Sequence, residues 1–230
     1  MTTRGIAAGL VFAVLLAGCF GAPGGTPTAE RTPTPARPPP GVGNGSLEDV
    51  DALLASHRES MTEAGFVVKI RLDGRTTRYA YATDGSRLID RVSGSATTWG
   101  NDTVAVQRTT GGDDVAYRMI PAEDLSVDGL LVTTELRERL TSASYERNGT
   151  TACGDTTCVV LTATRSIGAA VRNVTAEVHV GPGGVIRTLD AEWVRSTDER
   201  AFAFRFTVEE VGTSSVDRPD WVSEALNESG

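Results

Sequence analysis

Strict alternation of apolar and polar residues is clearest near the C-terminal end of the chain. Within Ala201–Val211, the apolar residues Phe202, Phe204, Phe206 and Val208 fall at every second position. Successive side chains of a β-strand point to opposite faces, so a repeat of two residues puts all the apolar side chains on one face. The face that carries the phenylalanines is therefore predicted to be buried.

The same period begins after Gly65, where Phe66, Val68 and Ile70 alternate with polar residues as far as Asp73-Gly74. Asp-Gly is a typical hairpin turn, so the chain is expected to return as a second, antiparallel strand. Apolar runs separated by turn residues predict further strands over 76–83, 86–93, 96–99, 103–109, 115–120, 157–164, 173–180 and 185–194.

Helical periodicity appears once before these strands, once between them and once after them. Ser46 and Asp49 resemble a helix-start capping pair, and apolar residues follow at helical spacing as far as Gly65. A second helix is predicted between Pro121 and Tyr145, and a short final helix begins near Trp221. The apolar side of the first helix is formed by Leu47, Val50, Leu53, Leu54, His57 and Met61.

This order of elements predicts an α+β fold in a single domain over residues 46–230. A large antiparallel sheet must curl and must have its apolar face covered. We therefore expect a strongly curved half-barrel of about 9–11 strands, with the two main helices covering its concave face.

The N-terminal segment has the pattern of a lipoprotein signal. Arg4 precedes an uncharged run, Gly5 to Gly18, that is too short to span a bilayer. The run ends in Leu-Ala-Gly-Cys at Cys19, which resembles the lipobox of bacterial and archaeal lipoproteins. Residues 1–18 are predicted to be a signal peptide, and Cys19 is predicted to carry the lipid that anchors the protein at the extracellular face of the cell membrane. Because a twin-arginine pair is missing, the export route stays open.

A Pro-, Thr- and Gly-rich segment follows the predicted lipidation site. Residues 19–45 contain three Thr-Pro pairs and then Pro38-Pro39-Pro40. Such a composition cannot bury apolar surface and favours extended chain. It predicts a flexible linker between the membrane and the domain.

Charge makes nucleic acid an unlikely partner, because the formal net charge is −8. The chain contains 22 basic residues, of which only Lys69 is a lysine. This bias resembles proteins of extremely halophilic archaea. The acidic balance then indicates adaptation to salt rather than an acidic binding site.

The lipobox, the order of elements and the apolar strand faces together resemble the LolA/LolB/LppX-like lipoprotein-carrier fold. The segment Val216–Val222, which contains Pro-Asp-Trp-Val, resembles the ending of a group of haloarchaeal lipoproteins. The carrier resemblance implies an apolar, lipid-like ligand held in a groove of the sheet. The groove is expected to be lined by Phe66, Val68, Tyr79, Tyr81, Phe202, Phe204 and Phe206.

Cys153 and Cys158 flank a four-residue segment, and a two-residue turn at Asp155-Thr156 would bring them directly opposite each other on adjacent strands. A disulfide is then geometrically easy, and it persists outside the cell. A redox pair remains the alternative. No metal site is expected, because the only histidines, His57 and His179, are distant in sequence and are interpreted as a packed and a solvated residue.

The sequence contains no catalytic motif, so the protein is predicted not to be an enzyme and to need no cofactor. Two functions remain: a monomeric carrier of an apolar ligand, or an envelope lipoprotein with a filled core that contacts another protein. Candidate N-glycosylation sites are Asn44, Asn101, Asn148, Asn173 and Asn227.

Overall fold

The computed structural model describes residues 38–92 and 96–228. Cys19, the signal peptide and most of the predicted linker lie outside the described residues. Of that linker, the described residues include Val42, whose side chain is buried in the main core and whose backbone bridges to Leu47.

Eleven strands form one antiparallel sheet in the described part of the chain. Two meanders, β1 to β6 and β7 to β11, are joined at the centre by pairing of β1 with β11, in the order β6-β5-β4-β3-β2-β1-β11-β10-β9-β8-β7. The sheet is open, with β6 and β7 at its edges. The strands are β1 Phe66–Leu72, β2 Arg75–Tyr81, β3 Arg87–Asp90, β4 Ala96–Gly100, β5 Ala105–Gly111, β6 Asp114–Ile120, β7 Ala143–Cys153, β8 Thr156–Ser166, β9 Val171–Val180, β10 Ile186–Arg195 and β11 Ala201–Val211.

The first helix, α1, spans Val50–Ala64 and begins later than the sequence predicts. Its N-cap is Asp49, whose Oδ1 accepts a hydrogen bond from the Ala52 N–H at 2.9 Å. Ser46 instead forms a backbone bridge to Glu146 of β7. A carboxylate placed three residues before an unpaired N–H satisfies that group directly, so the capping role falls to Asp49.

The second predicted helix is divided into three short pieces. A 3-10 turn at Ala122–Leu125 is followed by α2, Val127–Leu130, and α3, Thr133–Thr141. Helix α2 ends at once because Val132 adopts a left-handed conformation, with φ 47°. A β-branched residue is strained there, so tertiary packing must hold it; Val132 is itself buried.

The largest core cluster joins α1 and α3 to one face of the sheet. Helix α1 contributes Leu53 and Met61, α3 contributes Leu136, and the sheet contributes Phe66 and Phe206, among others. Each of these five side chains is fully shielded from solvent. Burial of large side chains from both layers provides the main stabilisation of the fold.

The final helix, α4, spans Trp221–Glu228 and packs on the opposite face of the sheet. Its Val222 and Ala225 are fully buried against Trp99 and Val106. The strand register shows the change of face. Trp99 and Val106 pair with each other, and they are offset by one residue from the row of paired residues across the strands that contains Phe66. Their side chains therefore point to the opposite face. The sheet is thus covered on both faces, by different helices at different strands.

Candidate functional site

The residues predicted to line a groove do lie on one face of the sheet. Phe66 of β1 pairs with Tyr81 of β2, and Val68 pairs with Tyr79. Ile70 pairs with Phe206 of β11 on the other side. Because alternate residues of β11 share a face, this face also carries Phe204 and Phe202.

Most of these side chains are packed rather than exposed. Phe66, Val68 and Phe206 have no exposed surface, and Phe204 is only 2% exposed. They belong to the cluster that includes Leu53, Leu54 and Met61 of α1 and Leu136 and Leu140 of α3. Tyr79, Tyr81 and Phe202 are partly exposed at the margins of this cluster. The middle of the face is therefore filled by side chains of the protein itself.

His57 belongs to this filling. Its Nδ1 accepts a hydrogen bond from the Ile186 N–H at 3.2 Å, and its ring meets Phe206 edge-on at 5.8 Å between centroids. The buried Nε2 has no hydrogen-bond partner in the described structure. Burial, together with the Arg187 charge, lowers the pKa of His57 to about 4. The imidazole is therefore neutral at pH 7.

One end of the same face carries an arginine–aromatic stack that the sequence did not predict. The rings of Trp193 and Phe202 are stacked, with centroids 5.6 Å apart. The Arg139 guanidinium lies over Trp193 at 3.8 Å, and those of Arg195 and Arg200 lie over Phe202 at 4.3 Å and 4.8 Å. The only available signal was a set of arginines near aromatics in sequence, which does not specify stacking.

These arginines do not form an anion site, because each is also paired with a carboxylate. Arg139 contacts Glu138 at 3.2 Å, and Arg195 contacts Asp198 at 3.4 Å. Arg200 likewise contacts Asp73 at 3.3 Å. The stack therefore closes one margin of the core through cation–π contacts.

An open depression lies at another margin of the sheet face that α1 and α3 cover, which we call the helix-covered face. Its wall includes none of the predicted groove residues. It has a volume of about 450 Å³. Ile167, which is 48% exposed, stands at this depression. Its apolar lining comes from the start of α1 and the residues before it, the end of α3, strand β7 and the residue that follows β8: Leu47, Val50, Leu140, Ala143, Tyr145 and Ile167.

Away from α4, the other face of the sheet carries charges of both signs in contact. Glu209 of β11 accepts from Arg78 of β2 at 2.9 Å and lies 3.5 Å from Lys69 of β1. Arg205 is paired with Asp190 of β10. Exposed pairs of this kind contribute little to stability. They make this surface mixed in charge, although the chain as a whole is acidic.

The disulfide joins Cys153 and Cys158, with Cα atoms 5.8 Å apart. The predicted turn is wrong by one residue: Cys153 pairs with Thr156, so Gly154-Asp155 forms the turn. Thr151, rather than Cys153, lies opposite Cys158. The bridge is therefore diagonal. Gly154 takes a positive φ of 62°, which explains the placement of the turn.

His179 lies on the mixed-charge face, where its Nε2 contacts Glu177 Oε1 at 2.8 Å. It pairs with Val160 of β8, two residues from Cys158, but the sulfur of Cys158 is bonded to that of Cys153. No group of three or more potential metal ligands occurs among residues 38–92 and 96–228.

Four of the predicted glycosylation positions are exposed: Asn44, Asn148, Asn173 and Asn227. Asn101 is half-buried, and its Oδ1 accepts hydrogen bonds from the Thr103 N–H at 2.9 Å and the Val104 N–H at 3.0 Å. None of the helices in the described chain is both long and apolar enough to cross a bilayer.

No known protein family matches the chain, and no curated protein resembles it in sequence. Among solved structures, the chain is similar to LprF from Mycobacterium bovis, with a TM-score of 0.41 and 10% identity over 76% of this chain and 98% of that one. A likeness at this level assigns neither a family nor a function.

Proposed function

We propose that the chain is a non-enzymatic lipoprotein of the cell surface, anchored through lipid on Cys19, whose domain acts by contacting another envelope protein. The lipobox at Leu15–Cys19 and the Pro-rich linker support the anchor. The filled interior of the helix-covered face carries the proposal, because it leaves surface contact as the simplest way for the domain to act.

The filled interior has a defined geometry. Phe66, Val68 and Phe206, where an apolar ligand was expected, are fully buried by Leu53 and Met61 of α1 and their neighbours. Pockets that bind small molecules are concave and bury most of the ligand surface. A face whose largest side chains already touch one another provides no such volume in this conformation.

The proposal includes a half-barrel shape for the sheet. Neighbouring strands rotate by about 20–25° relative to each other, so a sheet of this width does not stay flat. A single core cluster contains residues from α1 and from β1, β8, β9, β10 and β11. A sheet that wraps partly around α1 and α3 explains how strands so far apart in the order share one cluster.

Carbodiimide cross-linking on intact cells tests the contact with a partner. This reagent joins carboxylates to amines, and the chain has 30 Asp and Glu residues but only one lysine, Lys69. Links will therefore form mainly from acidic residues of this chain to lysines of a neighbour. We expect one discrete cross-linked protein in the membrane fraction.

The matched control is Cys19→Ser, which we expect to release the domain from the membrane and to abolish the cross-linked product. Absence of any protein product from the wild-type chain would overturn the proposed contact. Retention of Cys19→Ser in the membrane would overturn the anchor separately.

Binding of an apolar ligand is the second candidate function, and the depression at Ile167 favours it. Its lining is largely apolar and its volume of about 450 Å³ lies within the range of ligand pockets. Lipid extraction of the full chain and of Ile167→Glu, both prepared from the host, tests this function. A specific lipid present with the wild type and lost with Ile167→Glu would favour it; no lipid with either would exclude it.

A further inference from the structure

Strand β6, Asp114–Ile120, ends the sheet and is an unusual edge. In the described chain it pairs with β5 on one side only, in a continuous register without a bulge. It contains no proline and carries two exposed large apolar side chains, Val115 at 46% and Met119 at 42%. Natural edge strands are commonly protected by bulges, prolines or charges against pairing with other chains.

The other edge strand, β7, has such protection. Its pairing with β8 shifts register twice, and Glu146 is bridged by Ser46 from outside the sheet. The middle of β7 is polar, with Arg147, Asn148 and Gly149 all exposed. The two edges of the same sheet therefore differ, and only β6 presents a regular, partly apolar border.

Strand β6 is held in a fixed position for pairing. The Tyr117 ring stacks on Trp221 of α4, with centroids 6.1 Å apart and an interplanar angle of 11°. The Tyr117 hydroxyl donates to Glu224 Oε2 at 3.0 Å. Arg118 donates to Gln107 Oε1 of β5 at 3.1 Å. The strand is thus anchored from one side, and its outer border is presented without a fold rearrangement.

We propose that β6 pairs antiparallel with β6 of a second copy of this chain, with Ala116 on the two-fold axis. Asp114 of each copy then lies directly opposite Arg118 of the other, and Val115 lies opposite Tyr117. Opposite charges and aromatic–β-branched pairs are both favourable directly across an antiparallel ladder. In a two-fold interface every contact occurs twice, with the two copies exchanged. The sequence of the segment Asp114–Arg118 allows each of these contacts to form in both directions.

The charges select this arrangement over the alternatives. A parallel pairing in register places Asp114 beside Asp114 and Arg118 beside Arg118. An antiparallel pairing centred on Tyr117 places Arg118 opposite Ala116, so both direct charge pairs are lost. The segment has no net charge, whereas the chain carries −8, so two copies meet at this border without the general repulsion between acidic surfaces. The pairing goes beyond the proposed function, does not rest on it, and replaces the monomer expected from the sequence with a dimer.

Disulfide trapping at the two-fold axis tests the pairing. Cα atoms directly across an antiparallel ladder are about 4.5–5.5 Å apart, which is within the range that a disulfide bridges. The full chain carrying Ala116→Cys is oxidised at micromolar concentration in detergent, and the peptide linked between two copies of position 116 is measured by mass spectrometry. Val92→Cys is the control, since Val92 is 64% exposed but lies outside β6. We expect at least tenfold more linked peptide from Ala116→Cys.

Charge reversal identifies the register. Asp114→Arg and Arg118→Asp, each added to Ala116→Cys, are expected to reduce trapping at least tenfold because like charges then face each other. An equimolar mixture of the two variants should restore trapping, since a strand with two arginines then faces a strand with two aspartates. Both native residues are exposed, so the fold should persist. Trapping no greater than for Val92→Cys, or a mixture that stays as weak as its components, would overturn the proposed pairing.

Discussion

The buried His57 makes the stability of the domain fall in mildly acidic solution. Its pKa is about 4 in the folded protein, against 6.5 for an unperturbed histidine. At pH 7.5 the ring is almost entirely neutral in both states and has almost no effect on stability. Below pH 6.5 the unfolded chain binds a proton that the folded chain excludes, so the free energy of unfolding falls as pH falls, until the folded pKa is reached.

The size of this effect follows from the shift. Each pKa unit corresponds to about 1.4 kcal/mol, so the loss attributable to His57 is about 2–3 kcal/mol at pH 4.5 and about 3–4 kcal/mol in full. Urea unfolding between pH 7.5 and 4.5, followed by tryptophan fluorescence, measures it. Carboxylates also titrate in this pH range, so a matched variant is needed to separate the contribution of His57 from theirs.

His57→Asn is that variant, because the asparagine Oδ1 can accept the Ile186 N–H in place of Nδ1 but does not titrate. We expect it to be less stable at pH 7.5, since part of the ring volume is lost, but to lose about 2–3 kcal/mol less than the wild type on acidification to pH 4.5. Parallel pH dependences for wild type and His57→Asn would refute the reasoning.

Three further predictions concern packing and the cross-link. Phe206→Ala should cost about 4 kcal/mol in urea unfolding, because the ring is fully buried, and a loss below about 1 kcal/mol would show that the interior is not filled. Trp221→Ala should cost about 1–2 kcal/mol by the same measurement, less than for a fully buried indole, since Trp221 is half-buried; a loss above about 3 kcal/mol would contradict this. Joint replacement of Cys153 and Cys158 by serine should lower the free energy of unfolding by about 2 kcal/mol, because the cross-linked loop is short, whereas an unchanged midpoint would contradict the assigned bond.

Sequence periodicity predicted the central strands well, because one face of each is buried. The phenylalanines of β11 alternate in the sequence and lie on one buried face in the structure. Strand β7 was only partly anticipated, since Glu146 to Gly149 are all exposed and leave no alternation to detect. An edge strand is held by backbone pairing, which apolar periodicity does not report.

For the helices, the sequence predicts an apolar side but not where that side packs or where a helix breaks. The apolar spacing of Val222 and Ala225 predicts that α4 packs on something, but it does not say on which face of the sheet. The break at Val132 could not be predicted either. Valine disfavours the left-handed conformation, so tertiary contacts must hold it there.

The candidate groove also shows that the sequence pattern does not specify what covers an apolar face. Alternation placed Phe66, Val68 and Phe206 on one face, but burial by a ligand and burial by α1 leave the same pattern in the sequence. Only the positions of Leu53 and Met61 distinguish the two, and those depend on how the helix docks.

Native mass spectrometry of the full chain, purified from the membranes of its host, tests the central claim most directly. A domain with a filled interior should have the same mass in native and denaturing conditions, equal to the polypeptide with its covalent modifications, as one copy or as an integral multiple. A stoichiometric lipid that remains bound in native conditions and is lost on denaturation would contradict the account and would show that the helix-covered face opens to hold a ligand.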